Sequence, residues 1–255
     1  MNPSERQSAI VEYLGAVGVC MYQDLAKRLG VSEMTVRRDV DKLFNSGDVI
    51  KILGGVQTAK ASENLYESPV KERLPIRRLE KERIACEAAK QIEPRQTIFL
   101  DGGTTSIVLA QHLAEKFEGL TVVTHSAIVC MEFGRELGGK NTVFTLGGQF
   151  DPASACFVGP TAEESARRFF VDIAFFSTKG FLPDEGTFES SIGTIRVKQI
   201  IAEQAARSIL LVDQSKFGQR ALCKALDIKQ IDKVISDQPE NCSAAETSAN
   251  ATRTY

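Results

Sequence analysis

The chain has 255 residues, 43% hydrophobic and 25% charged, a globular composition with length enough for one large core or two unequal ones. A formal net charge of −2 removes bulk attraction to a polyanion, so any nucleic-acid surface must be local. Six scattered cysteines with no C-x-x-C pair and only two histidines argue against a zinc site, a disulfide framework or a His-rich metal centre, so free buried thiols and no metal or cofactor are expected. The opening "MNPSERQSAI" has no basic flank followed by an apolar run, and apolar residues nowhere persist long enough to span a bilayer. A soluble cytoplasmic protein without membrane contact is expected.

From Ser4, "SERQSAIVEYLGAVG" places Ile10 and Leu14 at i, i+4 and predicts an amphipathic helix closing near Gly15 or Gly18. A second helix, "MYQDLAKRLG", turns Leu25 and Leu29 to one face and stops at Gly30. The third begins with Ser32 as N-cap and carries Val36, Val40, Leu43 and Phe44 as a buried stripe. Two helices across a three-residue turn make a helix-turn-helix, whose second helix offers its N-terminal turns to the major groove of DNA. Met34, Thr35, Arg37 and Arg38 then lie on or beside the outward face. Arginine can bond guanine in two places or grip phosphate, and threonine can contact a base. An Arg-Arg pair alone equally fits a solvated helix face. The adjoining stretch favours DNA: "GDVIKILGGVQT" reads as a β-hairpin with Lys51 near its tip, and helix-turn-helix plus hairpin is a winged helix. Residues 1–57 hold seven Lys or Arg and seven Asp or Glu, so affinity must rest on a few positioned cations and on more than one copy.

Residues 58–79 are polar, contain Pro69 and Pro75, lack apolar periodicity and read as a linker. From Glu80 helices and strands alternate: helix "EKERIACEAAKQI", strand "TIFL", a helix from Thr105, strand "LTVVT", helix "AIVCMEFGREL" and strand "TVFTL". Helix "AEESARRF", strand "VDIAFFS", helix "TIRVKQIIAEQAA" and the strands "SILLVD" and "DKVIS" complete the series. That order predicts an α/β domain with a largely parallel sheet covered on both faces, in which ligands gather beyond the carboxyl ends of the strands. Polar residues stand at those ends: "DGGTT" (Asp101, Gly102, Gly103, Thr104, Thr105), His125 with Ser126, Lys179, and "DQSKFG" with Lys216. A glycine pair opening a helix lets backbone N–H groups approach an anion, the threonine hydroxyls add donors, and Asp101 can accept from ligand hydroxyls. A phosphorylated polyol satisfies both halves. Lys198 sits on a helix, and its direction is not fixed by sequence.

Taken together, "DLAKRLGVSEMTVRRDVDKL", the wing "GG", "EKERIA", "DGGTTS", "LGGQF", "VGPTAEE", "VDIAFFS", "VKQ" and "DQSKFG" resemble the DeoR family of bacterial transcriptional regulators, across residues 4 to about 237. The resemblance implies a winged helix-turn-helix DNA-binding domain over residues 1–57, a linker over 58–79 and an α/β effector-binding domain over 80–237, related to ribose-5-phosphate isomerase and CoA-transferase folds. It implies a homo-oligomeric repressor of carbohydrate catabolic genes, released from a double-stranded DNA operator by a phosphorylated sugar. By residue it assigns operator reading to Ser32, Met34, Thr35, Arg37, Arg38 and Lys51. It assigns effector contacts to Asp101, Gly102, Gly103, Thr104 and Thr105, and further ones to His125, Lys179, Lys198 and Lys216. The chain departs from the family pattern at the wing, where Lys51 and Leu53 replace Arg and His, and at His125, where asparagine is usual. The stretch 238–255 is polar and aperiodic and is expected to be a disordered tail.

An active sugar-phosphate isomerase fused to a DNA-binding module is the alternative. Proton abstraction beside a carbonyl needs a positioned base. Ser177, Thr178 and Lys179 follow "AFFS", and Glu189 is the remaining candidate, expected to be a solvated loop residue. No catalytic residue is assigned. A protein-binding adaptor with a vestigial pocket is a third class.

Overall fold

A computed structural model of the chain describes residues 2–17, 19–46, 48–52, 54–58, 68–135 and 140–238. The chain divides into two compact units, Met1–Tyr66 and Glu67–Tyr255. The polar tail beyond residue 238, and Leu53 of the wing, lie outside the described residues.

In the first unit, helices α1 (Pro3–Val17), α2 (Tyr22–Leu29) and α3 (Glu33–Asn45) accompany a three-stranded antiparallel sheet. Its order is β1 (Val19–Met21), β3 (Gly55–Thr58), β2 (Val49–Ile52). Strand β1 escapes sequence reading because three residues are too few for alternation to show. Ile10, Leu14, Leu25, Val36, Val40 and Val56 are completely buried in one cluster. Each aliphatic side chain so buried contributes about 1.5–3 kcal/mol. Gly30 ends α2 in the left-handed conformation, φ 64°, and donates its N–H to the Ala26 carbonyl, a geometry that costs a Cβ-bearing residue more. Arg6 Nε lies 2.8 Å from Asp39 Oδ2, and Gln7 donates to the other oxygen, which ties α1 to α3. Phe44, expected beside Leu43 in the buried stripe, is 46% exposed instead. One residue advances a helix by about 100°, and this step carries the ring out to where Lys51 Nζ lies 4.8 Å from its centroid.

The second unit is built on a six-stranded sheet in the order β14 (Lys233–Ser236), β12 (Ala205–Val212), β9 (Val171–Ser177), β4 (Thr97–Leu100), β5 (Thr121–Thr124), β6 (Thr142–Thr145). Every neighbouring pair is parallel. Both faces of the central strands are covered, which is why β4, β5 and the buried stretches of β9 and β12 read as apolar runs, whereas the edge strand β6 stays exposed at Thr142, Phe144 and Thr145. Ile98 and Leu100 of β4 join a cluster with Ile84 of α5 (Arg78–Ala89) and Leu109 of α6 (Thr104–Lys116). Phe99, pointing the other way, joins Ala162 of α8 (Pro160–Ala166) and Val197 of α9 (Ile192–Gln204). Helix α7 (Ala127–Gly134) contributes Val129 to the first cluster. The hairpin β7 (Gln149–Asp151) and β8 (Cys156–Val158) is not foreshadowed in the sequence pattern, nor is the antiparallel sheet β10 (Gly180–Leu182), β11 (Gly186–Glu189), β13 (Cys223–Asp227).

The stretch read as a linker carries ordered structure from residue 68 on. Helix α4 (Val70–Arg73) places Val70 in the core of the second unit at 1% exposure, with its N–H on the Ala153 carbonyl at 2.8 Å. A single buried valine between two prolines makes no periodic pattern, so composition alone conceals it. Among the described cysteines Cys20 and Cys156 are buried free thiols as expected, whereas Cys86 is exposed.

Candidate functional site

Helix α3 opens at Ser32, whose Oγ accepts from the Thr35 N–H at 3.2 Å and lies 2.9 Å from the Thr35 hydroxyl. Both residues expected to read DNA are therefore engaged in starting the helix. Arg37 is committed as well: Nη2 lies 2.7 Å from Glu33 Oε1, and the guanidinium stacks 4.5 Å from the Tyr22 ring centroid. Lys51 pairs with Asp41 at 2.5 Å. The Arg38 side chain differs, being exposed and making no ion pair, hydrogen bond or ring contact with another described residue. Met34 beside it is 62% exposed, so these two side chains are the ones on this face not engaged within the described residues.

In the second unit a cavity opens at the carboxyl ends of β4, β5, β9 and β12, lined by Gly102, Gly103, Thr104, Thr105, His125 and Lys216 together with Lys179 and Lys198. The glycines are required by close approach rather than by φ. A Cβ on Gly102 would stand 2.0 Å from Cys156 Sγ, and one on Gly103 would stand 1.8 Å from Ser177 Oγ. Gly103 is the N-cap of α6 and has no side chain to cap it, so the first N–H groups of the helix are left facing the cavity as an anion seat.

Asp101 is not on the cavity wall. It is completely buried, and its carboxylate accepts from Gly103 N–H at 2.6 Å, Ser177 N–H at 2.8 Å and Ser177 Oγ–H at 2.8 Å, with Lys198 Nζ at 3.0 Å. The expected acceptor for ligand hydroxyls is instead the residue that fixes the turn, because it ends a central strand within reach of the N–H groups of β9. Burial works against its charge, yet Lys198 and the N–H donors hold its pKa below the ordinary carboxylate value. Lys198 is buried too; burial opposes its charge, but Asp101 and Glu189, the latter at 2.5 Å, keep its pKa raised. Its third contact is the Ser177 carbonyl at 2.8 Å. Glu189, expected in solvent, is 5% exposed at the end of β11 and lines the cavity. With its carboxylate engaged by Lys198, it would have to break an ion pair to accept a substrate proton.

His125 is completely buried on the cavity wall, and neither ring nitrogen meets full hydrogen-bond geometry with another described residue. Burial, helped by Lys198 and opposed by Asp101 and the Phe157 backbone, pushes its pKa down to about 4, so the ring is neutral at physiological pH and offers one donor and one acceptor. The Lys216 ammonium makes no hydrogen bond or ion pair with another described residue. Sequence reasoning missed Arg73, Arg77 and Lys81, which also line the cavity. The available signal is the density of cations between residues 71 and 83, which the lack of an apolar period disguises as a solvated linker.

A helix-turn-helix with a hairpin wing, followed by a parallel α/β domain carrying a cation-lined pocket at its strand ends, defines the class of two-domain transcriptional regulators. Within it the chain belongs to the DeoR family: residues 6–62 match the DeoR-like helix-turn-helix domain and residues 77–238 the DeoR C-terminal sensor domain. It is similar to the HTH-type transcriptional regulator YgbI of Escherichia coli K12, 33% identical over 96% of this chain and 94% of that protein. It is 27% identical to the glycerol-3-phosphate regulon repressor of E. coli K12, over 94% of this chain and 92% of that one. With the putative aga operon transcriptional repressor of E. coli O157:H7 it shares 28% identity, over 92% and 86% of the two chains. Among solved structures it is similar to ribose 5-phosphate isomerase A from Methanocaldococcus jannaschii, with a TM-score of 0.40 and 20% identity over 58% of this chain and 55% of that one. For eIF2B beta from Chaetomium thermophilum the TM-score is 0.47 and the identity 14%, over 68% and 54%. The chain spans about half the length of those two structures. Among the described residues no helix is long and apolar enough to cross a membrane.

Proposed function

We propose that this DeoR-family regulator is a cytoplasmic homo-oligomeric repressor of carbohydrate catabolic genes. It reads a double-stranded DNA operator through α3 and the wing, and a phosphorylated sugar in the cavity of the second unit releases it. The observation that carries this reading is the cavity: an uncapped helix N-terminus behind two glycines, a Lys216 ammonium without a hydrogen bond or ion pair to another described residue, and a neutral His125 line one space. The first two suit a phosphate and the third suits a hydroxyl or carbonyl of the attached chain. The relatives named for a glycerol-3-phosphate regulon and an aga operon support a metabolite of that class. Seven cations against seven carboxylates in residues 1–57 favour two or more copies acting together, since one neutral module gains little from phosphate neutralisation.

The test is the anisotropy of labelled DNA from upstream of the regulated genes, with and without a panel of sugar phosphates. Release by at least one is expected, and indifference to the whole panel would overturn the reading. Arg38→Ala should weaken operator binding by about 1–3 kcal/mol and relax specificity at one base pair if it bonds a base. A uniform loss across sequences, with the salt dependence lowered by about one phosphate, would mark a backbone contact instead. Turnover of ribose 5-phosphate by the purified protein would favour the isomerase alternative, which the engagement of Glu189 by Lys198 argues against.

A further inference from the structure

The cation expected to meet a phosphate from within the domain, Lys198, is already spent. It stands between Asp101 and Glu189, one positive charge against two negative ones, and brings no surplus to a dianion. Four more cations on the lining of the same cavity, Arg73, Arg77, Lys81 and Lys216, accompany Asp213, and Arg77 also reaches Glu80 outside it. Three of the four cations belong to the stretch that sequence reading assigned to a linker or to its edge.

The contacts of Arg77, Lys81 and Lys216 leave these three open to a ligand. The Arg77 guanidinium makes no hydrogen bond with another described residue, and its ion pairs with Glu80 at 3.7 Å and Asp213 at 3.9 Å are at the outer limit of such contacts. Lys81 is 4% exposed and donates to the carbonyls of Arg73 at 2.8 Å and Leu74 at 3.3 Å, which uses two of its three protons. The Lys216 ammonium has no hydrogen-bond or ion-pair partner among the described residues. The turn they hold is strained, because Arg77 sits in the left-handed region at φ 52°, where a residue with a Cβ persists only when its surroundings hold it.

We propose that residues Arg73–Lys81 form the anion-gripping wall of the cavity, with Arg77, Lys81 and Lys216 closing on a phosphate monoester dianion seated at the N-terminus of α6, so that ligand fixes the segment through which the chain enters the sensor domain. This rests on the reading of the cavity as a phosphate site and adds which residues hold the charge. A phosphoryl group carries about −1.5 to −2 at neutral pH, a charge that Arg77, Lys81 and Lys216 acting together can meet. The wall also gives binding a pH dependence. Burial, with Lys216, Arg73 and Arg78 and against Asp213, pushes the pKa of Lys81 down to about 8. A bound dianion raises it again, so binding takes up a proton near pH 8 and weakens as pH rises beyond that.

The test uses the full chain with inorganic phosphate as probe, read by thermal stabilisation, and sulfate for the pH arm because its charge is constant there. Arg77→Ala and Lys216→Met are expected to raise the half-saturating phosphate at least tenfold. Phosphate should slow trypsin cleavage after Arg73, Arg77 and Arg78 severalfold in the unsubstituted protein. Half-saturating sulfate should rise severalfold between pH 7 and 9, and Lys81→Met should flatten that rise; if that variant does not fold, Arg77→Ala and the cleavage pattern decide. If Arg77→Ala and Lys216→Met bind phosphate like the unsubstituted protein while Gly103→Ala loses it, the wall is no part of the site and the sensor reading survives. If the unsubstituted protein ignores phosphate, sulfate and glycerol 3-phosphate alike, both fall.

Discussion

Lys198 lies between two carboxylates at 3.0 and 2.5 Å with 4% of its surface exposed, and this arrangement decides what its loss does. Removing one member of a buried ion cluster leaves the others charged and unpaired, which costs about 3–5 kcal/mol. Lys198→Met should therefore lower stability by that amount in urea titration, and adding Glu189→Gln should restore part of it. A loss below ~1 kcal/mol would mean that water reaches the carboxylates. His125 gives the matching pH prediction. Unfolded, its imidazole takes a proton below pH ~6.5; folded, it refuses one until pH falls to about 4. The unfolded state thus binds more protons across that window, so stability declines as pH falls from about 6.5 to about 4. His125→Asn should flatten the decline, and an unchanged slope would assign it to other groups. Among individual residues, the chain's order reveals which types gather at the strand ends, but not which are free. Asp101 and Lys198 read as ligand contacts, yet each is occupied by the other, a pairing set by β4, β9 and α9 together and absent from any local pattern.

The turn between β4 and α6 works as a unit because two main-chain positions run against side chains from neighbouring strands. A methyl on Gly103 would meet Ser177 Oγ at 1.8 Å, and that hydroxyl also holds Asp101. Gly103→Ala should therefore displace Ser177, loosen Asp101 and abolish ligand-induced thermal stabilisation. Adding Ser177→Gly should recover part of it, and a single variant that responds normally would show the turn to be pliable. Elements with a dense apolar pattern were legible: "TIFL" and "VDIAFFS" are β4 and β9 to the residue, since burial on both faces leaves a mostly apolar run in which Asp172 alone is exposed. The short strands β7, β8, β10 and β11 were not, because three or four residues establish no period and their pairing is tertiary. The same limit hid α4, whose four residues offer one buried valine.

Across the full chain, the proposed link between metabolite and DNA obeys reciprocity. If ligand weakens operator binding by a given factor, operator must weaken ligand binding by the same factor, commonly about 5- to 150-fold or ~1–3 kcal/mol. Calorimetric titration of the releasing metabolite with and without saturating operator measures one side of that cycle, and anisotropy the other. Unequal factors would show that the two sites do not share one pair of states. The even balance of seven cations and seven carboxylates in residues 1–57 has its own outcome in the cell. A module with no surplus positive charge is expected to hold arbitrary sequence weakly, so that fewer copies would sit idle on irrelevant chromosome and more would search from the surrounding fluid.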